Sequence, residues 1–302
     1  MALVGEQLVL GGFRDTLRVW DPRTGNAPGI AGKGVMIAAL PRGRFAAALY
    51  TAPTAAVWDT ATGTRICELQ GHTDNVFCVA SRPGDSVATG SVDCTARIWC
   101  AATGAHVATL EGHTGLLPAL AMLPDGRLAS GSWDRTVRLW DLSTSCCTAV
   151  LQHGSEGAAQ DEPDGSVYCL AAVEGGHLAS GCSDAKVYLW NPMSGAREAL
   201  LEGHKGTVTS LAALPRGLLA SGSVDGGVRA WSVAARTCVA VLEGHSSAVF
   251  GLAALPDGRL AASAGGGEDC SFRVWELQEG SADAAAAAAD SGHHASPRQE
   301  KK

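Results

Sequence analysis

Seven tryptophans stand at positions 20, 58, 99, 140, 190, 231 and 275, separated by 38, 41, 41, 50, 41 and 44 residues. A recurrence of about 40–45 residues is the length of one four-stranded unit, and such a unit cannot bury its apolar face alone. The chain must therefore stack its repeats. Each interval follows one grammar: Gly-His, an apolar strand, a Pro-Asp-Gly-like turn, a small-residue strand, a tight turn carrying Asp, and an alternating strand ending in Trp. GHTDNVFCVASRPGDSVATGSVDCTARIW and GHKGTVTSLAALPRGLLASGSVDGGVRAW show it twice. Short runs, period-two alternation and Gly/Pro turns leave little room for helix before the C-terminal residues, so the fold class is all-β.

Composition supports one large folded domain. Hydrophobic residues make up 46% of the 302 and charged residues 18%, enough apolar material for a continuous core. The net charge of -7, with no run of Lys or Arg, argues against nucleic acid or an anionic membrane as the main partner, since both demand concentrated positive charge. The ten cysteines are scattered without a Cys-x-x-Cys pair; several, such as Cys78 in NVFCVA and Cys169 in VYCLAA, lie in apolar runs. They read as reduced packing thiols of a cytoplasmic and/or nuclear protein. MALVGEQLVL has no basic segment or long apolar run of the kind a signal peptide needs, and no stretch reaches the length of a membrane span. No cofactor or metal is expected; His293-His294 is only a weak metal-like pair.

Over residues 3–276 the chain resembles the WD40-repeat β-propeller family. Trp-Asp itself occurs at Trp20-Asp21, Trp58-Asp59 and Trp140-Asp141, while Cys100, Asn191, Ser232 and Glu276 follow the other repeat tryptophans. The resemblance implies a seven-bladed propeller over residues 1–276 with four-stranded antiparallel blades. Residues 277–302, with Ala284–Ala289 and then polar residues, are expected to form a disordered tail. Aligned on the tryptophans, Leu3 matches Leu123, and nothing after Trp275 resembles the outer strands HVATL or TCVAV. The blades at the seam between the ends are therefore expected to be incomplete: either two three-stranded blades, or a sequence truncated upstream.

The resemblance further implies a serial hydrogen-bond network in each regular repeat: His before the first strand, Ser or Thr in the second, Asp in the following turn, Trp in the third. The matches are His72, Thr89, Asp93 and Trp99; His113, Ser130, Asp134 and Trp140; His204, Ser221, Asp225 and Trp231; and His245, Ser263, Asp269 and Trp275. Because they recur once per blade they read as structural. Blade two has Gly29-Ile30 and Ala52 in place of Gly-His and the turn Asp, so it is expected to lack the network and to be the loosest. Blade five lacks Gly-His and holds the acidic insertion Gly154–Pro163, which reads as a solvent-exposed loop.

Family members bind partners on a rim built from three positions per blade: the residue before the turn Asp and two flanking the first apolar residue of the inner strand. Carried over, the pre-Asp positions are Phe13, Val92, Trp133, Ser183, Val224 and Glu268, with Thr51 in blade two. The flanking pairs are Lys33 and Val35, Asn75 and Phe77, Leu116 and Pro118, Ser166 and Tyr168, Thr207 and Thr209, and Ala248 and Phe250. Five of the nine aromatics outside the repeat tryptophans fall on these positions: Phe13, Phe77, Trp133, Tyr168 and Phe250. Aromatics gathered on one exposed face bury much area with few rotors to freeze, as an interaction hot spot requires. Packing between blades or in the channel mouth is the alternative for each alone.

Residues 8–23, LVLGGFRDTLRVWDPR, also resemble the DWD box through which some WD40 proteins dock on the adaptor of a cullin-RING ubiquitin ligase, the match resting chiefly on Asp15, Trp20, Asp21 and Arg23. Leu10 departs from the small residue expected there. No Gly-x-Ser-x-Gly, phosphate-binding Gly-Lys-Ser/Thr or His-Glu-x-x-His occurs, and AGGGED, Ala264–Asp269, falls in a turn. The sequence thus points to a non-catalytic scaffold or adaptor, a monomeric propeller presenting a protein- or peptide-binding rim within a complex. A ligase substrate receptor is the alternative, and an enzyme a remoter one.

Overall fold

The computed structural model describes residues 2–4, 7–10, 16–20, 29–33, 36–48, 52–154, 165–255, 257–265 and 271–276; of residues 2–33 it describes the backbone only, apart from buried Val9. Among the described residues every element is a β-strand, and the strands follow one another in antiparallel sheets. The chain divides into two compact units, residues 1–153 and 154–302, at the start of the blade-five insertion.

The first unit holds four sheets of four strands: Ala2–Val4, Gln7–Leu10, Thr16–Trp20 and Gly29–Lys33; Met36–Leu40, Arg44–Ala48, Thr54–Asp59 and Arg65–Gln70; Val76–Arg82, Ser86–Ser91, Ala96–Cys100 and His106–Leu110; Ala119–Met122, Leu128–Gly131, Thr136–Asp141 and Cys146–Gln152. The second unit holds the fifth sheet, Val167–Val173, His177–Cys182, Val187–Trp190 and Arg197–Leu201, and the sixth, Val208–Leu214, Leu218–Ser223, Val228–Ser232 and Thr237–Leu242. The seventh has three strands, Val249–Ala254, Leu260–Ala264 and Phe272–Trp275.

Six complete four-stranded blades are therefore present, not seven, and only one end is incomplete among the described residues. Contrary to the expected pair of three-stranded blades, the first sheet has its inner strand. Ala2, Leu3 and Val4 pair with Val9, Leu8 and Gln7, three apolar residues being enough for a short ladder. The insertion proper, residues 155–164, and the tail 277–302 lie outside the described residues.

Packing repeats with the sequence. The last leucine of one sheet's outer strand meets the next sheet's inner strand, second strand and Trp. Leu69, Val76, Val87 and Trp99 form one such set, and Leu110, Leu117, Leu128 and Trp140 another. In the second unit the sets are Leu201, Val208, Leu219 and Trp231, and Leu242, Val249, Leu260 and Trp275. No sheet can bury these side chains without its neighbour.

Glycine in the second strand lets adjacent sheets approach. A Cβ at Gly181 would lie 2.5 Å from Cys169 Sγ and 2.6 Å from Val208 Cγ1, and Gly90 is equally crowded, by Cys78 Sγ at 2.6 Å. The two buried thiols donate across the seam between sheets, Cys78 to Leu117 O at 3.2 Å and Cys169 to Val208 O at 3.4 Å. Burial pushes both thiols up, so they stay protonated donors. Gly181→Ala is expected to destabilise the protein by about 1–3 kcal/mol through overpacking; a urea midpoint equal to wild type would contradict this account.

Candidate functional site

In three sheets the four repeat residues are hydrogen-bonded in series. His113 Nδ1 meets Asp134 Oδ2 at 2.6 Å, its Nε2 meets Ser130 Oγ at 2.8 Å, and Trp140 Nε1 donates to the same Oγ at 2.8 Å. His72, Thr89, Asp93 and Trp99 repeat this at 2.8, 2.7 and 2.7 Å, and His204, Ser221, Asp225 and Trp231 at 3.2, 2.7 and 2.7 Å. An indole N–H only donates, so the hydroxyl oxygen accepts from Trp and sends its own hydrogen to Nε2. That leaves Nδ1–H to donate to the carboxylate.

The carboxylates hold the turn as well as the histidine. Burial alone would raise Asp134, but hydrogen bonds from His113, Thr136 and the Thr114 N–H outweigh it and hold the carboxyl well below its ordinary value. The balance is the same at Asp93, with His72, Thr95 and Thr73 as donors. At Asp225 the main donors are the Lys205 and Gly227 backbone N–H groups. Desolvation pushes His204 below its ordinary value despite Asp225 beside it.

Ser130, His113 and Asp134 share the connectivity of a hydrolase triad, so the chemistry needs a check. Ser130 is fully buried and its oxygen already accepts the Trp140 indole, so no substrate carbonyl can reach it. The set binds a sheet together.

Sequence reasoning missed a fifth member of this network. Ser91, Ser132 and Ser223, two residues before each Asp, are fully buried. Ser132 Oγ donates to Gly115 O at 2.9 Å and accepts from Asp134 N at 3.0 Å. Ser91 and Ser223 make the same bonds, to Asp74 O and Gly206 O. The signal was the Ser of Gly-Ser-x-Asp in TGSVD, SGSWD and SGSVD.

Blade five replaces the missing histidine from a different strand. Tyr188, which takes the place of Arg138 and Arg229 two residues before the tryptophan, donates to Asp184 Oδ2 at 2.6 Å and stacks on Trp190 at 6.0 Å. Arg197 lies over its ring at 5.8 Å, and Trp190 still donates to Ser180 Oγ. Blade two has apolar contacts instead: Phe45 packs fully buried with Val9 and Ala47, and a buried Arg44 pairs with Asp85 of the next sheet.

The seventh sheet corrects one assignment. Leu260 pairs with Trp275 and Ala262 with Arg273, as Leu219 pairs with Trp231 and Ser221 with Arg229. Ala262, not Ser263, therefore occupies the hydroxyl position. The turn here is longer than in the other repeats, so the offset from Trp275 does not carry over, and the one-residue step from Ala262 to Ser263 moves a side chain to the other face. His245 Nδ1 meets Ser271 Oγ at 3.2 Å, the counterpart of His113 with Thr136; Asp269 lies outside the described residues.

The rim positions are joined by the backbone. The N–H of Val92 donates to Asn75 O at 2.9 Å, Trp133 to Leu116 O at 3.1 Å, Ser183 to Ser166 O at 3.0 Å, and Val224 to Thr207 O at 3.0 Å. In the seventh sheet Gly265 makes this bond, to Ala248 O at 3.0 Å, so Gly265 takes the place assigned to Glu268, which itself lies outside the described residues. The second flanking residue sits on a β-bulge: the ladder skips Phe77, Tyr168, Thr209 and Phe250 in turn. A bulge re-aims one side chain out of the alternation. Pro118 takes this place in the fourth sheet, and having no N–H it delays the ladder to Ala119.

Exposure sorts these residues. In the first unit Trp133 is 42% exposed; in the second, Val224 is 44% and Phe250 50% exposed. Asn75, Phe77, Val92, Leu116, Tyr168, Ser183, Thr207 and Thr209 are half-buried, and Ser166 and Pro118 buried. Phe13, Val35, Thr51, Asp15, Asp21 and Arg23 lie outside the described residues, and of Lys33 and Trp20 only the backbone is described.

The family model for "WD domain, G-beta repeat" matches residues 63–100, 104–141, 158–191, 195–232 and 236–276. Comparison with curated proteins finds no match.

Proposed function

Since the chain belongs to the WD40-repeat β-propeller family, whose members generally bind other proteins, we propose that it is a non-catalytic scaffold or adaptor engaging a protein partner through exposed apolar residues at or beside the starts of its inner strands. The observation that carries this reading is Trp133. The indole is 42% exposed on a turn that Ser132, Asp134 and main-chain bonds close. Its own bond to Leu116 runs through the backbone and survives truncation of the side chain. Large aromatic surface presented on a rigid support is what partner hot spots are made of. Val224 and Phe250 give the second unit the same character.

Affinity capture with wild type beside Trp133→Ala tests this. Partner recovery is expected to fall about tenfold or more, as for a hot-spot residue worth upwards of ~1.4 kcal/mol, while the melting temperature stays within about a degree. Undiminished recovery sinks the proposal, and a large stability loss without a binding defect reassigns Trp133 to the core.

A further inference from the structure

We propose that the outer edge of strand Phe272–Trp275 is a docking site for an extended segment of another protein, which adds in trans as the fourth strand of the seventh sheet and carries the pattern small-x-Leu. This surface is separate from the exposed apolar residues of the proposed rim.

The five outer strands whose side chains are described obey one rule. Each presents a leucine opposite the residue three before the tryptophan of its third strand: Leu69 with Ala55, Leu110 with Ala96, Leu151 with Val137, Leu201 with Val187, Leu242 with Val228. All five leucines are at most 3% exposed. Two residues earlier stands a small residue, Cys67, Ala108, Ala149, Ala199 or Ala240, opposite the residue that precedes the tryptophan. That residue is thereby covered: Val57, Ile98, Leu139, Leu189 and Ala230 are at most 2% exposed. Its counterpart Val274 is only half-buried, and among the described residues its strand is joined by a strand on one side alone.

Residues 277–302 are a poor source for a fourth strand here. In each of the five sheets the leucine follows the tryptophan by 11 residues, and 11 residues after Trp275 stands Ala286, within ADAAAAAAD. Alanine has low strand propensity and forgoes most of the apolar burial of leucine. An extended segment with leucine at that place adds main-chain hydrogen bonds along the edge and fills the side-chain site, the usual terms of β-strand addition.

The probe is a fluorescein-labelled peptide ARTSVAVLEG, copied from residues 235–244 with Ser for Cys238, a photo-reactive group replacing Val241. It is expected to bind the full chain and to cross-link to strand Phe272–Trp275, and its Leu→Asp version to bind at least tenfold more weakly. Ala286→Leu in the full chain, which supplies the leucine in cis, is expected to reduce peptide binding at least tenfold. Absence of binding, equal binding of the Leu→Asp peptide, cross-linking elsewhere, or binding only after removal of residues 277–302 would each overturn the proposal, the last by showing that the chain covers its own edge.

Discussion

Trp140→Ala is expected to lower stability by about 3–5 kcal/mol, the usual cost of emptying a buried indole site. The residue is 2% exposed, packs with Leu110, Leu117 and Leu128, and bridges the outer strand of one sheet to the next. Its Nε1 also donates to Ser130 Oγ, so truncation leaves a cavity and takes one partner from a buried hydroxyl. Trp140→Phe separates the terms, keeping most of the volume and losing the hydrogen bond, and should fall between wild type and alanine. Urea denaturation measures both; a Trp140→Ala midpoint near wild type would refute the role given to this residue.

Asp134→Ala is expected to cost about 3 kcal/mol, because it strands donors that cannot reach water together: His113 Nδ1, Thr136 Oγ1 and the Thr114 and Thr136 N–H groups. Asp141, the Asp of the Trp-Asp pair, makes the instructive contrast. It accepts from Ser143 N and Oγ in an exposed outer turn, so Asp141→Ala should leave the melting temperature nearly unchanged.

The pH dependence follows from the same carboxylates. Asp93, Asp134 and Asp225 are held below their ordinary value near 3.8, so on acidification the unfolded chain takes up protons first. Their contribution is full above about pH 5 and is lost as the pH falls through and below 4. His204, held below its ordinary 6.5 by burial, acts in the same direction at higher pH: protonation favours the unfolded chain, so its contribution declines from about pH 6.5 downward. Thermal melts from pH 7 to 3 should therefore show a shallow decline and then a steeper one. The gap between wild type and Asp134→Ala should narrow on the acid limb; a gap independent of pH would contradict the assignment.

Much of this was legible in the sequence because it is local and periodic. The tryptophan spacing, the alternation before each Trp and the Gly/Pro turns specify strands and sheets without reference to a partner sheet. Serial networks such as His113, Ser130, Asp134 and Trp140 were legible because four polar or amphipathic residues recur at fixed offsets. Ser132 was not, although Gly-Ser-x-Asp recurs, since only its bonds to Gly115 O and Asp134 N reveal that it holds the end of the inner strand against the turn. Tyr188 could not be read as a substitute for histidine, because it reaches Asp184 from a different strand.

By itself the sequence determined the element type, the repeat unit and which tryptophans are core, since those follow from side-chain periodicity and burial of apolar surface. Tertiary structure decided what depends on register and on neighbours. It put Ala262 where Ser263 was expected, because a turn of altered length breaks the count back from Trp275 and the ladder fixes the register. It supplied the bulges that turn Phe77, Tyr168 and Phe250 out of their strands' alternation, a consequence of two residues facing one across a pair. Among the described residues it also gave six sheets four strands and the seventh three, because whether a strand joins a ladder depends on the edge it meets as much as on its own residues.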